Sequence, residues 1–178
     1  MDSINRQQTE QNRADLSGPE AIRKVQDLAG KAETCFFCTD IATRGSSGSR
    51  PMAVQQIDDD GRLWFLSAGD SHKNEEVALD PVVHLYFQAS AHSGFLVLTG
   101  TVIASRNQAK IDELWKPIMK TWFTEGEHDP RITVLKFTPQ EGYYWDTKHG
   151  QAVAGLKMLI GAALGKTLDD SIEGTLRF

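Results

Sequence analysis

The stretch RPMAVQQIDDDGRLWFLSAGDSHK, Arg50 to Lys73, decides how this chain is read. Met52, Val54 and Ile57 alternate loosely with small or polar residues, and Leu63 and Phe65, with Trp64 between them, resume the pattern after a break. A period of two marks a strand with one buried face. The break, Asp58-Asp59-Asp60-Gly61, is a turn signal, because Asp tolerates left-handed backbone and Gly reaches positive φ at no steric cost. A β-hairpin is therefore expected over 50–57 and 62–68. Gly69-Asp70-Ser71 then offers N-caps for a short helix near 71–79 that runs through Glu75, Glu76 and Val77 and stops before Pro81. The free N–H groups of a helix start favour an anion, and Arg50 and Lys73 add two cations. The stretch thus joins an anion-binding corner to a sheet face able to hold a flat ring. The plainer reading is a solvated first turn with ordinary surface cations.

Composition bounds the rest. The 178 residues are 40% hydrophobic and 24% charged, ordinary for one soluble globular domain, and a net charge of −5 disfavours nucleic acid as a partner. Residues 1–17 are polar and have no apolar run of the signal-peptide kind, so they read as a mobile arm in a cytoplasmic protein. Val153 to Leu164 is apolar but too short for a membrane span, which takes about 20 residues. It reads as a packed or partner-facing helix within a 149–178 helix/tail. Gly161-Ala-Ala-Leu-Gly165-Lys166-Thr167 imitates a phosphate loop, but has three residues between its glycines where four are needed and follows no strand.

Ser17-Gly18-Pro19-Glu20 resembles a capping box before a helix over about Pro19 to Ala29, with Ile22, Val25, Leu28 and Ala29 on one face. Strands follow near 34–40, 50–57, 62–68, 82–87, 95–104, 132–137 and 143–145. Between them, Ile111, Leu114, Trp115, Ile118, Met119 and Trp122 form a helical stripe, kinked or broken at Pro117. About seven strands suffice to close or nearly close an antiparallel barrel. Cys35 and Cys38 have CxxC spacing, yet three residues apart in a strand they face opposite ways, so neither a disulfide nor half a zinc site is expected. The five histidines are scattered, with no pair at metal-binding helical spacing, and His84 reads as a core or barrel-wall residue. No protein nucleophile or metal site emerges, which suits a chain whose chemistry belongs to a bound cofactor.

Arg50-Pro51-Met52, Trp64-Phe65-Leu66-Ser67, Ser71-His72-Lys73, Gly94 to Gly100, Leu114-Trp115 with Trp122-Phe123, and Pro139 to Asp146 together resemble the FMN-binding split-barrel superfamily of pyridoxamine 5′-phosphate oxidase, in particular its general stress protein 26 branch. The resemblance covers roughly residues 20–147. It implies a mainly β fold with flanking α-helices: an antiparallel, Greek-key split barrel over 18–148 that forms a homodimer with flavin at the subunit interface. By motif match, the cofactor-binding residues would be Arg50, Pro51, Met52, Ala53 and Val54 along the ring, Phe65, Leu66 and Ser67 on the next strand, Ser71, His72 and Lys73 on the phosphate, and Trp145 from the partner subunit. Three departures stand out. Gln55 replaces the family's lysine, His72 replaces its phosphate-binding arginine, and Thr147-Lys148-His149-Gly150 stands where the oxidases carry the segment that grips pyridoxamine phosphate. Each lost charge-assisted contact is worth about 1.5–3 kcal/mol, which disfavours vitamin B6 oxidation.

The expectation is a cytoplasmic flavin-binding protein of the general stress type. FMN is the first candidate cofactor and FAD the second, with NAD(P)H-dependent flavin oxidoreductase activity as an open extension. Four alternatives stand beside it: a true pyridoxamine-phosphate oxidase; a haem-handling split barrel using a histidine such as His149; a flavin sensor or storage module without turnover; and an empty barrel with Trp115, Trp122 and Trp145 as core aromatics.

Overall fold

The computed structural model describes residues 11–43, 45, 47–150, 154, 157, 159, 160 and 170–178. Its elements run β1 (Leu16–Ser17), α1 (Pro19–Ala32), β2 (Thr34–Thr39), β3 (Ser49–Ala53), β4 (Gln56–Ile57), β5 (Leu63–Ala68), α2 (His72–Leu79), β6 (Val82–Gln88), β7 (Phe95–Ser105), α3 (Gln108–Leu114), β8 (Ile132–Thr147) and β9 (Ser171–Arg177). Short 3-10 turns occupy Pro117–Thr121 and Gly126–His128. Pro117 breaks the helical stripe in two, because its ring removes a donor and clashes with the preceding turn.

The hydrogen-bonded order is β1-β9-β8-β7-β6-β2-β3, with β5 pairing β8 on one side and β4 on the other. The expected hairpin is thereby corrected. β3 pairs with β2, and only Gln56 and Ile57 pair across the acidic turn with Trp64 and Leu63. A bend at Val54 and Gln55 carries the chain from one partner to the other, so the sheet curls back on itself. Among the described residues no ladder joins β3 to β5, and that seam is the split in the barrel. The turn itself forms as expected, with Gly61 at φ 81° and Asp58 bonded to Arg62.

Three further expectations are corrected. The strands expected at 132–137 and 143–145 are one strand, because Pro139, which has no N–H to give the ladder, sits where the β7–β8 register shifts opposite Thr99 and Gly100. Within the 149–178 tail, residues 171–177 form β9 against β8; the apolar stretch 153–164 lies largely outside the described residues. The mobile arm is corrected for residues 12–17. The Ala14 amide donates to the Glu173 carbonyl (2.9 Å), the Glu173 amide to the Asn12 carbonyl (2.8 Å) and the Tyr144 hydroxyl to the Ala14 carbonyl (2.8 Å). Leu16 and Ser17 pair in parallel with Leu176 and Arg177, so the sheet is mixed. Gly174 makes this approach feasible, since a Cβ there would collide with the Ala14 carbonyl.

The barrel interior is filled by alternate residues of each strand, among them Phe37, Phe65, Leu85, Leu98 and Phe137, with Phe37 and Phe65 edge to face at 5.7 Å. α1 lays Ala21, Val25, Leu28 and Ala29 on this core. Its N-cap is Gly18, with no side-chain cap bond, so the capping box does not form. A second cluster, Ile111, Leu114, Met119 and Phe123, packs on the outer side of β5 and β8. Cys35 is buried in the core and Cys38 is half-buried on the other side of β2; both are free thiols. Burial pushes the Cys35 thiol up to about 12. His84 is a half-exposed wall residue held by Thr99 (3.0 Å) and Asp40 (3.1 Å).

Candidate functional site

Strand alternation sends Leu63, Phe65 and Ser67 inward, and Ser67, the last of the three, brings a hydroxyl to the end of the core. The chain turns at Gly69, whose amide donates to the Arg131 carbonyl (2.6 Å), and α2 starts with Ser71 as N-cap. Ser71 makes no side-chain capping bond. Its hydroxyl instead lies 3.4 Å from that of Ser67 and 3.5 Å from Lys73 Nζ. Asn74 fixes this corner by donating to the Ala68 carbonyl (2.6 Å) and to Thr133 Oγ1 (3.0 Å).

Lys73 is only 8% exposed, and its ammonium donates to Ser67 Oγ. The solvated-turn reading is therefore overturned. Burial first, and then the Arg50 charge, bring its pKa down to about 8, with Glu76 opposing. Its hydrogen-bond partners are two neutral hydroxyls, and no carboxylate lies at ion-pair distance from it among the described residues.

Arg50 is satisfied in a different way. Its guanidinium donates to Glu76 Oε2 at 2.6 Å and to Thr39 Oγ1 at 3.2 Å. Glu76, fully buried, also accepts from Thr39 Oγ1 (2.7 Å) and the Thr43 amide (3.0 Å). Lys73 and Glu76 share the inward face of α2 because they are three apart. The corner thus contains one arginine ion-paired to Glu76 and one lysine whose hydrogen bonds go to hydroxyls.

The remaining expected residues divide. Pro51 and Ala53 are exposed along β3, while Met52 and Val54 lean on the core. The Phe65 side chain is core and that of Leu66 packs on the second cluster. His72 turns away from Lys73, 3.5 Å from Thr43 Oγ1 and 3.9 Å from Glu75. Trp145 is 44% exposed on the half of β8 that pairs with β9, apart from the lysine corner within one chain. Trp122, at 66%, is also exposed, so the empty-barrel reading with both as core aromatics does not hold. Sequence reasoning missed Glu76 and Thr39. Glu76 could have been found from its spacing to Lys73, whereas nothing local marks Thr39.

Two surfaces flank the site. The outer face of β2, β6, β7 and β8 carries exposed Phe36, Tyr86, Phe95, Tyr143 and Trp145, and cross-strand register aligns Pro51, Phe36, Tyr86, Val97 and Tyr143 in one row. A cleft of about 540 Å³ lies beside the β3–β4 bend, between the end of α1 and the Pro117–Thr121 turn. In the tail, His149 Nδ1 is 2.7 Å from buried Asp170, which Lys157 also contacts at 2.8 Å. Among the described residues no three His, Cys, Asp or Glu side chains gather as a metal site, and no helix is long and apolar enough to cross a membrane.

Residues 20–169 match the family described as pyridoxamine 5′-phosphate oxidase like. No curated protein matches the chain. Among solved structures, a protein described as general stress protein 26 from Jannaschia sp. CCS1 is 26% identical, covering 88% of this chain and 97% of its own, with a TM-score of 0.72. A protein related to general stress protein 26, from Clostridium acetobutylicum, is 21% identical over 70% of this chain and 87% of its own (TM-score 0.60). The general stress FMN/FAD binding protein of Xanthomonas citri is 24% identical over 69% and 86% (TM-score 0.59). These likenesses bear out the split-barrel fold.

Proposed function

The chain belongs to the pyridoxamine 5′-phosphate oxidase-like family, and from that premise we propose that it is a flavin-binding protein of the general stress type, holding FMN in preference to FAD. The observation that carries this reading is Lys73: a buried cation facing two hydroxyls, with no carboxylate at ion-pair distance among the described residues. Such a group is costly to bury alone and is compensated by an anion. The donor set fits a phosphate. Lys73 Nζ, the Ser67 and Ser71 hydroxyls and the first amides of α2 converge on one corner. Arg50 adds positive potential, but its hydrogen bonds are committed to Glu76 and Thr39. His72 is not assigned a phosphate contact.

From that corner β3 leads to the bend beside the cleft, and at about 3.3 Å per residue the four-residue path from Arg50 to Val54 spans about 13 Å. Pro51 to Val54 would hold the ring of a flavin whose phosphate sat in that corner. A bound flavin supplies electron transfer that no side chain here can supply; the residues hold its phosphate, align its ring and shield one side from water. We further propose that the aromatic outer face joins two copies, since exposed apolar patches of this kind mark association surfaces. The homodimer would let Trp145 of one copy approach the β3 strand of the other. Oxidoreductase activity with NAD(P)H, in a cytoplasmic setting, completes the proposal.

The test is a visible spectrum of the purified protein before and after FMN, followed by desalting and gel filtration. Flavin colour that travels with a dimer, and is lost in Lys73→Ala, is the expected result; a protein that stays colourless with added FMN and FAD would overturn it. Bleaching of the bound flavin by NAD(P)H tests the activity separately.

A further inference from the structure

Among the described residues Glu33 is the one non-glycine with a positive φ (58°). It ends α1 in the left-handed region, its amide bonded to the Ala29 carbonyl (3.0 Å) and its carbonyl to the Val54 amide (2.9 Å). Helices commonly place glycine at this point, because a Cβ crowds the backbone there. A glutamate held against that preference calls for a functional reason.

Its position offers one. Glu33 lines the 540 Å³ cleft, a size typical of small-molecule sites, together with Gln55, Lys116, Ile118 and Trp122. Ile118 and Trp122 are 67% and 66% exposed, so the cleft's lining includes apolar side chains open to solvent. Glu33 and Lys116 carry opposite charges, yet they form no ion pair with each other, nor with any other described residue. A carboxylate, an ammonium and an indole thus line one space.

We propose that this cleft binds a small zwitterion built on a flat ring. Its ammonium would meet Glu33, its carboxylate Lys116, and its ring the Trp122 and Ile118 wall. A ligand there would lie beside the ring proposed along β3; that adjacency rests on the flavin reading, whereas the binding does not.

The experiment titrates the full chain, with and without FMN, against three probes sharing one ring: 4-(aminomethyl)benzoate, benzylamine and benzoate, read by tryptophan emission and calorimetry. The zwitterion is expected to bind about tenfold or more tighter than either single ion, one charge-assisted contact being worth at least that. Glu33→Gln is expected to erase its advantage over benzoate, and Lys116→Met its advantage over benzylamine. Glu33→Gly is expected to melt about 2–4 °C higher, having lost the strained backbone, while losing the same preference. Three probes binding alike, or Glu33→Gly keeping the full preference, would overturn the inference. Zwitterion preference in a protein that binds no flavin would uphold the cleft and sink the flavin reading; FMN binding without that preference would do the reverse.

Discussion

Lys73→Met should make the ligand-free protein more stable and the flavin complex weaker. A lysine brought from 10.5 to about 8 carries, at 1.36 kcal/mol per pH unit, about 3 kcal/mol of unfavourable charge burial at neutral pH. Methionine fills similar space without the charge, but leaves the Ser67 and Ser71 hydroxyls without their donor, at about 1 kcal/mol together if they turn to each other. The net gain is then about 2 kcal/mol, or a melting temperature about 4–8 °C higher for a chain of this size. Saturating FMN should raise the wild-type melting temperature and barely move that of the variant, whose affinity should fall about 10- to 100-fold with the loss of one charge-assisted contact. pH supplies an independent check. The folded pKa lies below the unfolded one, so the unfolded chain binds more protons between about pH 8 and 10.5. Wild-type stability should rise relative to the variant across that window and stay level below it. A variant that melts lower than wild type and still binds FMN at wild-type affinity would refute the reasoning.

Glu76→Gln leaves the Arg50 guanidinium half-buried without its carboxylate (2.6 Å); a loss of about 3–5 kcal/mol is expected in urea titration, and one under 1 kcal/mol would show that the pair contributes little. Cys38 should react with a thiol reagent in the native protein while Cys35, buried and raised to about 12, reacts only on unfolding; equal rates would contradict the placement. Gly174→Ala should push Ala14 off β9, exposing Arg13 to trypsin and lowering stability by about 2 kcal/mol or more, whereas unchanged digestion would argue against the close approach. Trp145→Ala should weaken FMN binding and shift gel filtration toward the monomer, although Trp145 lies apart from the lysine corner within one chain; an unaltered profile and affinity would detach it from the site.

Periodicity and turn chemistry made β5, α2, the buried Ile111, Leu114 and Met119 of the 107–123 stripe and the opposed cysteines legible in the sequence, whereas Ile118 and Trp122 of that stripe are exposed because the chain beyond Pro117 turns as a short 3-10 segment. The signals there are local. What local signals miss is pairing: nothing between 50 and 57 says that β3 joins β2 while β4 joins β5, and Pro139 reads as a strand end until the bulge opposite Gly100 is seen. β9 went unread because Ser171 to Arg177 alternates weakly around Gly174, whose missing side chain matters only once Ala14 arrives from the other end of the chain. At the lysine corner, Ser67, Ser71 and Lys73 were legible as a spaced motif. The Glu76 partner of Arg50, 26 residues away, was not.

The docking of Ala14 to Ser17 on β9 also has a temporal meaning. The Thr175 amide bonds to Asp15 across 160 positions of sequence, so Ala14 to Ser17 cannot settle until residues made some 160 positions later have left the ribosome. Until then the C-terminal half of β8 is an open edge, free to recruit any strand that passes. Synthesis that stalls before Ser171 should therefore leave a nearly complete barrel that is prone to self-association, and the last strand acts as a latch for the first.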